Sequence, residues 1–191
     1  MVSSTDYPRG TKLGVDVGAV RVGVASCDPD GILATPVRTL KRDAKKDYDI
    51  RVLVREAAER GAVQVFVGLP RTLSGGESAS TEMARSYARK LAAALAAAGS
   101  GASVSLIDER LTTVAAHRGL RDAGMDTRQH RKVVDQVAAV GILQQAIDMQ
   151  RAQGQDVGTP VAPPAGRDVP DASHEEPTIK HGHDRSGDPG S

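Results

Sequence analysis

The alternation of hydrophobic and polar residues predicts three strands at the start of the chain. Short apolar runs at 13–17 and 22–26 are separated by a tight turn, which is typical of a β-hairpin. A third extended stretch covers 32–40, and Pro36 within it indicates an edge strand, because proline cannot donate a hydrogen bond to a neighbouring strand. The three stretches therefore predict an antiparallel meander.

After the meander, the spacing of apolar residues changes to that of helices. Apolar residues recur every three to four positions over 50–58 and 83–98, which predicts two amphipathic helices. Gly61 and Gly99 follow these segments, and glycine is common just past a helix C-terminus. We therefore expect each helix to end at its glycine.

The remaining pattern completes an α/β fold. Continuous apolar runs at 63–67 and 104–107 are typical of parallel strands buried on both faces. A third helix is expected from about 112 to 124, and a fourth over about 131–150. Three antiparallel strands followed by alternating helices and strands predict one mixed five-stranded sheet, a three-strand antiparallel meander plus two parallel strands, with helices on both faces.

Composition divides the chain into one organised domain with two flexible ends. The organised pattern covers 12–150, and the residues before it, 1–11, are expected to be flexible. Residues 151–191 are rich in Gly, Pro, Asp, Ser and His, with almost no large apolar side chain. Such a segment buries too little surface to offset its ordering entropy, so we predict a disordered tail.

Charge and residue usage narrow the function only slightly. The tail carries four Lys or Arg against seven Asp or Glu, which leaves the preceding residues with a net charge of +4. A mildly basic body is compatible with a phosphate-bearing substrate but does not require one. Cys27 is the single cysteine, so no internal disulfide can form, and we interpret it as a small strand residue. Without a leader-like apolar run or a membrane-length segment, a soluble cytoplasmic protein is expected.

The first strand contains a carboxylate in an unusual setting. Alternation places Gly14, Asp16 and Gly18 on one face, and Gly23 repeats the small-residue pattern in the second strand. Glycine within a strand often marks close approach of a ligand or another backbone, so we expect this face to be bare of side chains apart from one acid. Alternatively, Asp16 bonds its own turn in a twisted hairpin, and these residues alone favour neither interpretation.

A second acidic cluster follows a buried strand. Asp108, Glu109 and Arg110 come at its carboxyl end, where α/β sheets bind ligands. The alternative is a solvated loop with a local ion pair. Strand alternation does not choose between Asp108 and Glu109, because neighbouring residues point in opposite directions.

The last helix carries a third acid. Asp135 shares a helical face with an apolar stripe that should pack on the sheet. A carboxylate on a buried face is costly unless it is paired or binds a metal ion. Asp135 is therefore a candidate metal ligand, with a partner Arg or Lys, or a frayed and wet helix start, as the alternatives.

If these acids converge, they favour divalent metal chemistry. Gathered carboxylates repel one another, and hard oxygen ligands suit Mg²⁺ or Mn²⁺. No cluster of Cys and His in the sequence suggests zinc. Two ions about 3.5–4 Å apart can activate a water and stabilise the leaving oxygen of a phosphodiester.

A series of short motifs extends over about 12–150. They lie at 15–18, 21–25, 36–40, 67–70, 75–76, 87–88, 107–113 and 134–139. In this order they resemble the motifs of the YqgF/RuvX family of nucleases. The resemblance implies an RNase H-like fold similar to the junction resolvase RuvC. It also implies a metal-dependent endonuclease that acts on structured nucleic acid, either at the 5′ end of pre-16S rRNA, at Holliday junctions, or at both.

The resemblance also assigns roles to individual residues. It implies that Asp16, Glu109 and Asp135 are the catalytic acids and bind Mg²⁺ or Mn²⁺, as two ions, and it favours Glu109 over Asp108. Further basic residues are expected to contact phosphates. Arg131 and Lys132 form a basic cluster at the start of the last helix, although an ordinary solvated helix start would also explain them. The predicted phosphate-binding residues are Arg21, Arg110, Thr113, Arg131 and Lys132.

Two other functions remain open at this point. A non-catalytic nucleic-acid-binding or ribosome-assembly factor could retain the same fold. A phosphotransferase fragment related to sugar kinases and actin shares the strand–Asp–Gly opening, but it needs a second domain to enclose a nucleotide, and the organised chain is too short for one. Three Tyr and one Phe leave little for base stacking, so recognition by shape and backbone is expected. Either a monomer or a weak homodimer fits these expectations.

Overall fold

One mixed sheet organises the molecule. The computed structural model describes residues 6–72, 74–111 and 128–163, except the side chains of Leu111 and 128–134. Within these residues the sheet order is β3-β2-β1-β4-β5-β6. Its strands are β1 (Lys12–Val17), β2 (Arg21–Cys27), β3 (Ala34–Lys41), β4 (Gln64–Leu69), β5 (Ser103–Asp108) and β6 (Thr159–Val161).

Strand directions follow the predicted pattern. β1, β2 and β3 form an antiparallel meander, and β4 and β5 continue the sheet in parallel with β1. The Gly18 amide donates to the carbonyl of Arg21 at 2.8 Å and closes the β1–β2 turn. The predicted mixed α/β sheet is therefore confirmed, with β1 at its centre.

Helices cover both faces of the sheet. Within the described ranges they are α1 (Tyr48–Glu59), α2 (Ala79–Ala97) and α3 (Arg128–Gln153), and a short 3-10 turn, Glu109–Leu111, follows β5. Gly61 and Gly99 lie just beyond α1 and α2 with φ of +58° and +70°, which confirms them as helix ends. Ser78 caps the start of α2, and its side chain forms a capping box with Thr81.

Two apolar layers hold the helices to the sheet. Leu13, Val15 and Val17 of β1 belong to the layer under α1 and α2. The opposite layer joins α3 to the sheet through residues such as Phe66, Ile142 and Leu143. Because residues alternate along a strand, Gly14 and Asp16 face α3. Cys27 is buried in this same layer, in agreement with its interpretation as a small strand residue.

The chain departs from the sequence-based prediction after residue 150. α3 continues to Gln153, and β6 pairs antiparallel with β5, so the described sheet has six strands instead of five. The Gln64 and Gln150 amides both donate to the Asp156 carboxylate, at 3.0 and 2.7 Å. These partly buried contacts hold a polar segment that composition alone assigned to the tail.

The N-terminal segment is also tied to this end of the molecule. The amide of Asp6 donates to the carbonyl of Gly154 at 2.9 Å, and Asp156 donates back to Asp6 at 3.0 Å. The predicted helix at 112–124 and the tail beyond 163 lie outside the described residues. In the described chain, every helix is too short or too polar to cross a bilayer.

Candidate functional site

Asp16 lies at the centre of the sheet beneath α3. It pairs with Gly23 across the β1–β2 ladder, and it is 1% exposed. A Cβ added to Gly14, two residues earlier, would lie 2.6 Å from Cβ of Leu143 and 2.7 Å from the carbonyl oxygen of Ala139. The small residues of β1 therefore allow the backbone of α3 to approach closely. Of the two explanations for glycine within a strand, a ligand or another backbone, the structure shows the second.

Asp135 lies on one side of Asp16. Its backbone carbonyl sits directly over Gly23, so that any side chain at position 23 would overlap it. The carboxylate of Asp135 accepts a hydrogen bond from Nε of Arg21, with 2.7 Å between Nε and Oδ2. The side chains are 5% exposed for Asp135 and 27% for Arg21. The partner arginine that the sequence left open is therefore Arg21.

Glu109 lies on the other side of Asp16. It is 3% exposed, and its carboxylate occupies the space where a Cβ of Gly68 would lie. In the parallel β1–β4 ladder Val67 pairs with Val15, so Gly68 is level with Asp16. Glu109 thus reaches the Asp16 level from the end of β5 across a bare position in β4.

The three acids occupy one region of the α3-facing surface of the sheet. Asp16 is central, with Gly23 and Gly68 as its neighbours on the adjoining strands and another acid above each glycine. Among the described residues, however, no three His, Cys, Asp or Glu side chains are grouped closely enough to hold one metal ion. The structure gathers the acids without assembling all three into one ligand shell.

Asp108 has a different environment from Glu109. It pairs with Leu69, which belongs to the layer under α1 and α2, whereas Ile107 belongs to the α3 layer. Its carboxylate accepts hydrogen bonds from Nη2 and the backbone amide of Arg110, at 2.6 and 3.0 Å. The side-chain hydrogen bond from Arg110 holds the pKa of Asp108 below its ordinary value. Strand geometry therefore places Glu109, and not Asp108, on the side of Asp16.

The predicted phosphate-binding residues are only partly visible. Arg110 pairs with Asp108, and its Nη1 lies 2.9 Å from where a Cβ of Gly75 would be. The backbones of Arg131 and Lys132 lie about one helical turn before Asp135, but their side chains lie outside the described part. Thr113 also lies outside the described residues. Of this group, Arg21 is the residue that the described structure joins to an acid of the site.

Lys41, which sequence reasoning did not single out, lies on the same face of the sheet as the three acids. In the β2–β3 ladder Thr39 pairs with Gly23, and Lys41 pairs with Arg21. Alternation along β3 places Lys41 and Thr39 on one face of the strand, but only the β2–β3 register shows that this face is the one that carries the acids.

Comparison with known proteins gives consistent matches over the organised chain. A family model described as RuvX, Holliday junction resolvase, matches residues 10–149. A Mycobacteroides abscessus protein named "Putative pre-16S rRNA nuclease" is 48% identical over 155 residues, 81% of this chain and 91% of that protein. A protein of the same name from Mycolicibacterium smegmatis is 52% identical over 149 residues, 77% and 85% of the two chains.

Among solved structures, Thermus thermophilus RuvC in complex with a Holliday junction substrate aligns with a TM-score of 0.48 and 12% identity. The alignment covers 80% of this chain and all of the RuvC chain.

Proposed function

Because the chain belongs to the RuvX family of Holliday junction resolvases, we propose that it is an endonuclease that uses Mg²⁺ or Mn²⁺ to hydrolyse phosphodiester bonds in structured nucleic acid. The substrates are the 5′ region of pre-16S rRNA, four-way DNA junctions, or both. The observation that carries the proposal is the buried Asp16, flanked by glycines over which Asp135 and Glu109 lie.

The acids present suit a magnesium-like ion. Mg²⁺ in proteins usually keeps several waters and is held by one or two carboxylates together with substrate phosphates. Asp16 and Glu109 supply two buried carboxylates on the same face of the sheet, and Asp135 supplies a third beside them. The bound metal would supply an activated water and charge stabilisation at the leaving oxygen.

The remaining chemistry belongs to the protein's own side chains. Ile142 and Leu143 of α3 pack against Gly68 and Gly14 beside the acids, which excludes solvent from the inner side of the site. Arg21 balances the charge of Asp135 and remains partly exposed at the rim. In the proposal, Arg21 contacts a backbone phosphate together with Arg110, Thr113, Arg131 and Lys132.

The test is cleavage by carboxylate-to-amide variants. Asp16→Asn and Glu109→Gln should keep the fold and abolish Mg²⁺-dependent cleavage of a labelled four-way junction and of a pre-16S rRNA fragment. Asp108→Asn is the matched control, because Asp108 faces the other side of the sheet, and it should keep most of the activity. Wild-type cleavage by Asp16→Asn would remove the site assignment, and unequal rates on the two wild-type substrates would rank them.

A non-catalytic binding or assembly factor is the second candidate. Two observations favour it: the carboxylate of Asp135 is engaged by Arg21, and the described acids do not form a three-ligand group. That function predicts tight binding of the junction or the RNA with no cleavage in Mg²⁺ or Mn²⁺. The same experiment therefore separates the two candidates.

A further inference from the structure

Lys41 faces the acid site from the edge strand. It lies opposite Arg21 in the antiparallel β2–β3 ladder, and directly opposed residues project from the same face of a sheet. Arg21 reaches Asp135 on the α3 side, so Lys41 projects on that side as well. Its neighbour Leu40 packs in the layer under α1 and α2, which independently places Lys41 on the opposite face.

The register also sets the distance of Lys41 from the acids. Thr39, Gly23 and Asp16 form one row across β3, β2 and β1. Lys41 and Arg21 form the next row on this face, two residues along the strands and about 7 Å away. With strands about 4.8 Å apart, the Cα of Lys41 lies about 12 Å from that of Asp16. A long side chain at this position can contact the nucleic-acid backbone that enters the site, but not the phosphodiester bond that is cut.

The two arginines nearest to Lys41 along the chain are already paired with acids. Arg38 pairs with Glu56, and Arg42 pairs with Asp49. Lys41 is exposed, and among the described residues no carboxylate oxygen lies within 4.0 Å of its ammonium group. Its charge is therefore available to an anion that approaches the α3 side of β3.

From this placement we propose that Lys41 contacts a backbone phosphate of the nucleic-acid substrate and extends the binding track from the acids across β2 to the edge strand β3. The inference rests on the proposed function, because it takes nucleic acid as the substrate. An exposed lysine on an edge strand can instead serve to prevent sheet-to-sheet pairing with another molecule. The two roles differ in how nucleic-acid binding depends on salt.

The experiment measures binding of the full chain to a labelled four-way junction and a pre-16S rRNA fragment, in EDTA, at several salt concentrations. Each phosphate contact contributes about −0.9 to the slope of log K against log salt on duplex DNA. Lys41→Gln should reduce the magnitude of the slope on the junction by about 1 and weaken binding about five- to tenfold near 0.1 M salt. Lys41→Arg should keep the wild-type slope.

Arg55→Gln is the matched control. Arg55 is exposed on α1, on the opposite face of the sheet, and the variant removes the same single charge. A wild-type slope in Lys41→Gln, or an equal loss in Arg55→Gln, would overturn the proposal; self-association of Lys41→Gln with an unchanged slope would identify edge protection instead.

The outcome is distinguishable from failure of the proposed function. If the wild type binds but cleaves nothing in any metal, the nuclease proposal fails and the salt slope still decides the role of Lys41. If the wild type binds neither nucleic acid, both proposals fail.

Discussion

Two Arg–Asp ion pairs lie on opposite faces of the same sheet and differ in how completely they are enclosed. Arg42 and Asp49 are 9% and 0% exposed, with Nη1 of Arg42 3.2 Å from Oδ2 of Asp49. The guanidinium also lies 4.7 Å from the ring centre of Tyr87. Arg21 and Asp135 are 27% and 5% exposed and are joined through Nε at 2.7 Å.

We interpret the enclosed pair as structural, and we expect the more open pair to exchange partners. Asp49 also accepts from the backbone amide of Asp43 at 3.3 Å, so several contacts hold it in place. The pair of Arg21 opens to solvent beside Asp16, another buried carboxylate. We therefore expect a cation from solution to compete for Asp135 more readily than for the fully enclosed Asp49. On this view the burial and surroundings of an ion pair, more than the pair itself, predict whether its role is in packing or in function.

The largest expected effect comes from breaking the enclosed pair. Asp49→Asn leaves the guanidinium of Arg42 buried without its countercharge, and breaking a buried pair in this way typically costs about 3–5 kcal/mol. We expect a loss of that size in the free energy of unfolding, measured by urea denaturation. Cleavage per folded molecule should not change, because Asp49 lies on the face away from Asp16.

Asp47→Asn is the control for this loss. Asp47 pairs with Lys90, and the two side chains are 35% and 44% exposed. Exposed pairs contribute about 0–1 kcal/mol, and asparagine tolerates the left-handed φ of 51° at this position. An equal loss in the two variants would contradict the distinction between enclosed and open pairs.

The next effect tests the contact beneath the second pair. A Cβ at Gly23 would overlap the carbonyl oxygen of Asp135, so Gly23→Ala must displace the start of α3 from the sheet. Such overpacking typically costs about 1–3 kcal/mol. It should also reduce cleavage by moving Asp135 away from Asp16. Urea denaturation and a cleavage assay measure the two effects.

Gly101→Ala is the matched control. An added Cβ at Gly101 meets no atom within 4 Å, so neither stability nor cleavage should fall. Full activity in Gly23→Ala would show that the close approach of α3 to β2 is not needed for the site.

The close approach at Gly23 illustrates what the sequence could predict. Alternation in β1 and β2 indicated a bare surface around Asp16, because the period of a strand is a local property. Whether a ligand or another backbone fills such a surface depends on a helix more than 100 residues away in the chain. The choice between Asp108 and Glu109 likewise needed the β4–β5 register, which places Ile107 towards α3.

The failure after residue 150 has a similar cause. Residues 154–163 lack the apolar pattern of an ordered segment, and composition therefore predicted disorder. Asp156 is held by two buried glutamines that donate to its carboxylate: Gln64, which lies 92 residues earlier in the chain, and Gln150, which lies six residues earlier. Polar contacts between distant segments leave no periodic signal, so this part of the fold required coordinates.

A smaller effect tests whether the pair of Arg21 can exchange partners. Arg21→Gln removes the cation from a buried carboxylate, but partial exposure lets water replace it, so we expect a loss of about 1–2 kcal/mol. Mg²⁺ should then raise the melting temperature of the variant more than that of the wild type, because the metal supplies the missing positive charge.

Arg60→Gln is the control for metal rescue. It removes one of two arginines that hold the buried Glu56, at a distance from the acids of the site, and Arg38 remains. Its melting temperature should respond to Mg²⁺ as the wild type does. Equal metal responses in Arg21→Gln and the wild type would mean that Arg21 and the metal do not share Asp135.

The smallest effect is expected at the partly exposed pair of Asp108 and Arg110, and it should depend on pH. The hydrogen bond from Arg110 lowers the pKa of Asp108 from its ordinary value of 3.8. A carboxyl group with a lowered pKa in the folded state stabilises the protein above its unfolded pKa, and this stabilisation disappears as pH falls through the folded pKa. Asp108→Asn should therefore cost less than about 1 kcal/mol near pH 6, and this cost should disappear as the pH is lowered through the folded pKa of Asp108. Urea denaturation of the wild type and the variant across this range measures the difference, and Arg110→Gln should abolish it. A difference that does not change with pH would mean that the charge of Asp108 contributes nothing to stability.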